Sequence, residues 1–401
     1  MFEDEIAVLS EAMARRLAKT PEMFHRSLYG DIAWEDRLLC IKGPRGVGKT
    51  TLLFQHMKDS FRKSTAAFYV SLDNLFFAHH SLREVADWHS KNGGTHLFVD
   101  EVHHVPTWQT EIKNIYDDYP DLSIAYTGSS MLRIDRAQGD LSRRQMVYEM
   151  KGLSFREFLE YEGVLSQSAV SLETILKEHR SLAADITAKV KILPLFRRYL
   201  ETGYYPFYRE VRNGYAFRLR EVVDEVLEKD YPAIESVSVS TIRKTRKMLM
   251  ILAASTPQTP KMKDLYAALD TDRNMGLKML DALDKAGLLN LLSVSSRKIK
   301  SLTAPDKIYC DNTNLMSALV PHPDIGCLRE TFFLNQTGIG HDVTYPPKGD
   351  FLVDGRYLFE IGGAGKGFSQ IADIPESYVV NDGVEVGIGN KIPLWLFGFL
   401  Y

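Results

Sequence analysis

Residues 43–51 read Gly-Pro-Arg-Gly-Val-Gly-Lys-Thr-Thr, and the spacing G-x-x-x-x-G-K-[ST] falls on Gly43, Gly48, Lys49 and Thr50. This loop restricts the fold more than any other stretch of the chain. A backbone that curls round a polyphosphate needs its N–H groups to converge with no side chains in the way, and Gly43, Gly46 and Gly48 remove them. A helix must begin where the loop ends, so that its free N–H groups and dipole face the anion. A strand must lead in. Arg37-Leu-Leu-Cys-Ile-Lys42 is an apolar run of strand type, and Thr51-Leu-Leu-Phe-Gln-His-Met57 reads as a helix. The expected nucleotide-binding segment is therefore Gly43, Pro44, Arg45, Gly46, Val47, Gly48, Lys49, Thr50 and Thr51. Lys49 brings a point charge to the outer phosphates of ATP, and Thr50 a hydroxyl to Mg2+.

A second run completes such a site. Thr95-His-Leu-Phe-Val-Asp-Glu101 is a strand ending in two carboxylates, about 50 residues after the loop. Asp100 is the expected partner of Thr50 at Mg2+, and Glu101 the group that polarises the attacking water. Ala66–Ser71 and Leu122–Gly128 read as further strands. At the end of the latter, Thr127 or Ser129 can meet the outermost phosphate or that water, or can simply cap a turn. Leu141-Ser-Arg-Arg144 precedes a fifth candidate strand, Gln145–Met150, and Arg144 is a candidate for stabilising transferred charge, in cis or from a neighbouring subunit. His103 and His104 follow the acids; adjacent residues do not face one another on a helix or strand, so a zinc pair is not expected, and Trp108 is read as a buried loop anchor. Strands alternating with helices imply a parallel sheet with its site at the strand carboxyl ends.

The 401 residues suggest about two to four domains. A net charge of −3 gives no global sign of nucleic acid or of an anionic membrane. Cys40, Cys310 and Cys327 are far apart and lack metal-ligand spacing, which favours a reducing compartment. The opening Met1-Phe-Glu-Asp-Glu5 is acidic where a secretory leader is basic, and the apolar runs are too short to span a bilayer, so the expected location is the cytoplasm with no membrane partner.

The loop, Val99-Asp-Glu-Val-His103 with Trp108, Thr127-Gly-Ser-Ser130 and Leu153-Ser-Phe-Arg-Glu-Phe158 together resemble the prokaryotic AAA-type, STAND-like P-loop ATPases that carry a C-terminal DUF4143 domain. In that family a Leu-x-Gly-Arg segment precedes the fifth strand; here Arg143 stands at the glycine position and Arg144 at the arginine. Gly203-Tyr-Tyr-Pro206 resembles the G-x-P element of a helical lid, with one extra residue. The resemblance implies a nuclease-like PD-(D/E)xK fold near the C-terminus. Its carboxylates would be Glu330, Asp350 and Glu360, but the E-x-K slot reads Glu360-Ile-Gly362, and Lys366 in a glycine-rich loop is the nearest substitute.

Residues 154–235 read as helices: a capping box at Ser154 and Glu157, Pro194 in the first turn of another helix, and Glu221–Tyr231 stopped by Pro232. Ile242–Ala254, Met262–Leu269, a helix capped by Asp270 or Thr271, and two strands around the basic turn 295–301 suggest a winged helix. The expected fold is α/β: a P-loop NTPase core with an N-terminal helix over 1–153, a helical lid over 154–235, a winged helix over 236–315, and a degenerate nuclease-like α/β domain over 316–401. The function this points to is an ATP-dependent switch or remodelling ATPase. A nucleic-acid enzyme with a C-terminal nuclease and a nucleotide-binding scaffold with little turnover remain as alternatives. The expected partners are ATP and ADP, an unidentified protein, nucleic acid at the winged helix, and further copies of the chain.

Overall fold

The computed structural model describes residues 2–62, 64–131, 141, 143–211, 213–255, 259, 261–294 and 304–401. The basic turn 295–301 lies outside the described residues. The chain forms two compact units, one of residues 1–151 with 228–236 and one of 152–227 with 237–401.

The first unit is built on five strands: β1 (Leu38–Gly43), β2 (Ala67–Ser71), β3 (His96–Asp100), β4 (Ser123–Ser129) and β5 (Met146–Glu149). Their order is β2-β3-β4-β1-β5 and every neighbouring pair is parallel. β1 to β4 are apolar almost without alternation because helices cover both faces of a parallel sheet. Helices Lys49–Ser60, Leu82–Lys91 and Trp108–Asp118 make the crossovers. A capping box between Ser81 and Glu84 opens the second of them. Val99, Ile112, Ile124 and Tyr126 are fully buried in the core, and Ile6 and Leu9 of helix Phe2–Lys19 join it. Because β4 lies between β1 and β3, the phosphate loop and the acidic strand end flank the tip of β4.

In the second unit the expected lid, winged-helix and C-terminal segments share one polar network. The buried amide of Asn314 donates to the carbonyls of Tyr199 and Leu200 at 2.9 Å and accepts from the Tyr204 N–H at 2.8 Å. Ser154 and Arg156 donate to the carbonyl of Tyr401 at 2.8 and 2.9 Å. The expected boundaries therefore do not part compact bodies here. Helices Val239–Ala253, Met262–Ala268 and Arg273–Lys285 precede the antiparallel pair β6 (Leu289–Leu292) and β7 (Lys307–Cys310). The cap of the third helix is Asp272, which accepts from Met275; Asp270, at φ 45°, lies in the turn before it. A second sheet follows, of β8 (Val343–Thr344), β9 (Phe351–Val353), β10 (Tyr357–Gly363), β11 (Ser377–Asp382) and β12 (Lys391–Pro393), in the order β12-β11-β10-β9-β8. Asp354 and Gly355, both at positive φ, form the β9–β10 turn.

Pro232 does not stop a helix. Helix Tyr215–Glu225 continues as a π-helical turn, Val226–Asp230, and then as Tyr231–Ile234, where Pro232 occupies the first turn and its missing N–H is not needed. The π-turn is also the stretch where the chain rejoins the first unit. Among the described residues no helix is long and apolar enough to cross a membrane.

Candidate nucleotide-binding site

The loop's glycines have distinct causes. Gly46 (φ 84°) and Gly48 (φ 101°) occupy left-handed conformations, which L side chains adopt at a cost. Gly43 is held by a close approach instead: a Cβ there would lie 2.1 Å from the carbonyl oxygen of Met150. Its lack of a side chain admits the chain leaving β5, rather than clearing space for phosphate as the sequence suggested. Arg26, buried and unforeseen, pins the loop by donating to the carbonyls of Val47 (3.0 Å) and Lys151 (2.9 Å). Lys49 is buried and donates to the carbonyls of Gly43 (2.8 Å) and Pro44 (2.9 Å). Burial pushes its pKa down, against the opposing charges of Glu101, Asp100 and Asp230. Thr51 faces solvent in the first turn of the helix.

Asp100 is buried and surrounded by hydroxyls. Its Oδ2 accepts from Thr50 at 2.7 Å and from Tyr69 at 2.8 Å, and its Oδ1 from Thr127. Thr127 also accepts from the Glu101 N–H at 3.2 Å, so its hydroxyl ties the two acids together. Ser129 takes the turn-capping role, accepting from Met131 at 3.3 Å. Tyr69 was not singled out in the sequence. The signal was available in register: Ser71 pairs with Asp100, which places β2 beside the acidic strand end.

Glu101 sits in the left-handed region (φ 53°, ψ 44°), turning the chain sharply at the sheet edge. Burial raises its pKa, the charge of Lys49 opposes this, and Asp100 adds to it. Beyond it, His103 places Nε2 3.5 Å from Glu101 Oε2 and 3.4 Å from Asp230 Oδ1. Arg45 donates to the same Asp230 oxygen at 3.0 Å. Burial alone would raise the pKa of Asp230, but the hydrogen bond and charge of His103, with Arg45 and Lys49, hold it below the usual value. Asp230 was assigned to the lid in the sequence; the structure brings it to the loop. The histidines also depart from expectation. They lie in a 3₁₀ turn, Val102–His104, with ring centroids 4.5 Å apart, and with Glu101 they offer ligand atoms within 4.8 Å of one another. Trp108 is buried against Tyr126, as a loop anchor would be.

Arg144 is turned to helix Trp108–Asp118. Its Nε lies 3.2 Å from Asp117 Oδ1 and its guanidinium lies over the Tyr116 ring, while Arg143 is exposed. In the second unit, Lys366 folds back to 2.5 Å from Glu360, spanning the gap left by the missing E-x-K lysine. Lys307 on β7, also unforeseen, lies 3.2 Å from Glu330 and 3.7 Å from Asp350.

Residues 35–159 match a family described as an AAA domain, and residues 193–324 match one described as a domain of unknown function, DUF8612, where DUF4143 was expected. A protein of Methanocaldococcus jannaschii, described as uncharacterized, is 25% identical over 389 residues, covering 88% of this chain and 81% of its own. Among solved structures, AMPPCP-bound DnaA from Aquifex aeolicus is similar at 16% identity and a TM-score of 0.25, over 64% of this chain and 84% of that one. The replication initiator DnaA bound to AMPPCP and single-stranded DNA is similar at 17% identity and a TM-score of 0.27, over 68% and 85%. The parallel sheet, the loop and the AAA match together place an AAA-type P-loop nucleotide-binding domain in the first unit.

Proposed function

We propose that the first unit binds ATP with Mg2+ and hydrolyses it, and that the bound state switches the rest of the chain. The supporting observation is the junction of Thr50, Asp100 and Thr127 at the end of an intact phosphate loop. A hydroxyl and a carboxylate are hard oxygen donors of the kind Mg2+ prefers, so Thr50 and Asp100 fit it directly or through water. When bound, the ion would offset charge on the outer phosphates. Lys49 leaves its two carbonyl partners for the phosphates. The N–H groups at the start of helix Lys49–Ser60 face the same anion. Glu101, half-buried and beside its Thr127 anchor, orients the attacking water and takes its proton. Arg144 contributes to transferred charge in this reading only after leaving Asp117.

Calorimetry of ATP binding tests this reading. Lys49→Ala should abolish binding, and an unchanged affinity would overturn the proposal. Glu101→Gln should keep binding and lose turnover; slow hydrolysis that the change leaves untouched favours the scaffold. A second reading, a C-terminal nuclease, draws support from the reach of Lys366 to Glu360. It requires Mg2+-dependent cleavage of DNA or RNA that disappears in Asp350→Ala.

A further inference from the structure

The second unit contains a cavity of about 260 Å3 that the ATPase reading does not use, lined by Leu193, Phe196, Arg197, Arg329, Asp382 and the glycine-rich loop at Ala364. Its charge is positive. Arg329 donates through Nε to Asp382 at 2.9 Å, which neutralises one cation and fixes that guanidinium. Arg197, at the end of helix Ile192–Arg198, adds a second, while the one carboxylate among the lining residues, Asp382, is paired with Arg329. The terminal nitrogens of Arg329 lie 3.4 Å from where a Cβ on Gly363 would be, so the guanidinium lies alongside the glycine-rich loop. The loop is ordered beforehand: Asn381 donates to the Gly363 carbonyl at 2.6 Å, Lys366 N–H to the same oxygen at 2.9 Å, and Lys366 is anchored on Glu360. Leu193 and Phe196 supply an apolar wall opposite.

We propose that this cavity binds a terminal phosphate group, carried by a small molecule or by the end of a nucleic-acid strand. Two guanidinium groups offer forked N–H donors to a dianion with three free oxygens, the geometry in which arginine outperforms lysine. A fixed Asp382–Arg329 pair and a pinned loop mean that little must be ordered on binding. The apolar wall suits the carbon skeleton next to the phosphate, and the volume exceeds what a lone carboxylate would fill.

The test is calorimetric titration of the full-length protein with inorganic phosphate. Because the phosphate loop of the first unit is a second acceptor, Lys49→Ala is titrated beside the wild type. Phosphate binding should persist in Lys49→Ala, weaken roughly tenfold in Lys49→Ala/Arg197→Gln, and vanish when Arg329→Gln is added. Arg197 is exposed, so its replacement leaves the fold intact even if Arg329→Gln disturbs it. Binding that disappears with Lys49→Ala alone, or that Arg197→Gln leaves unchanged, overturns the proposal. Competition by a 5′-phosphorylated but not a 5′-hydroxyl oligonucleotide would identify the strand end as the source. Displacement by a small phosphomonoester alone would identify the small molecule.

Discussion

His103 is a buried imidazole with one nitrogen shared between two carboxylates and the other, Nδ1, without a hydrogen-bond partner among the described residues. A nitrogen facing two acceptors must carry a proton, so Nε2 is the donor to both carboxylates. That ring holds Glu101 on one side and Asp230 on the other, and Asp230 in turn takes Arg45 as well as His103. Asp230→Asn should lower stability by about 3 kcal/mol at neutral pH, measured by denaturant titration, because the buried carboxylate that faces both Arg45 and His103 is lost. The sign with pH follows from the depressed pKa. The contribution is complete above the ordinary value of 3.8 and is lost as pH falls through the lower folded value. The penalty of Asp230→Asn should therefore shrink in strong acid. Glu101 moves the other way. Its raised pKa predicts that hydrolysis falls off on the acid side above the ordinary 4.5, and that Glu101→Gln removes this limb from the pH–rate profile.

At the scale of elements, β4 joins the loop to the acids, and β5 secures the loop through Gly43. Gly43→Ala forces a Cβ onto the Met150 carbonyl and should cost about 1–3 kcal/mol, read as a fall in the denaturation midpoint with an intact Lys49. The π-turn Val226–Asp230 offers a second experiment. Deleting Leu227 restores an α-helical count upstream of Asp230 and also removes a buried side chain, so its cost should exceed that of Asp230→Asn. These elements also show how far the sequence could be read. The strands were legible because a parallel sheet leaves continuous apolar runs, and the loop because only glycine tolerates Gly46 and Gly48. Asp230 was not. It lies 185 residues from Arg45, and a π-turn has no periodicity that marks it. Tyr69 and Arg26 act on the loop and the acids through tertiary contacts that local patterns do not record.

For the whole molecule, two compact units predict two separable steps of thermal unfolding. A non-hydrolysable ATP analogue with Mg2+ should raise the step that belongs to the first unit, by mass action on its native state alone. Sizing the protein with ATP, with ADP and without nucleotide tests for assembly. A nucleotide-linked change that Arg144→Ala abolishes would show that this arginine leaves Asp117 to serve a neighbour.

Residues 228–236 give the molecule an unusual inheritance. The AAA match ends at 159, yet the carboxylate that completes the loop's surroundings is encoded far beyond it. A gene cut after the fifth strand would yield a fragment without the carboxylate that Arg45 and His103 share. The ATPase part is thus not a cassette that recombination can lift out and refit elsewhere. In this chain the segment after it returns that carboxylate, so a change at Asp230 acts on the loop from outside the matched domain.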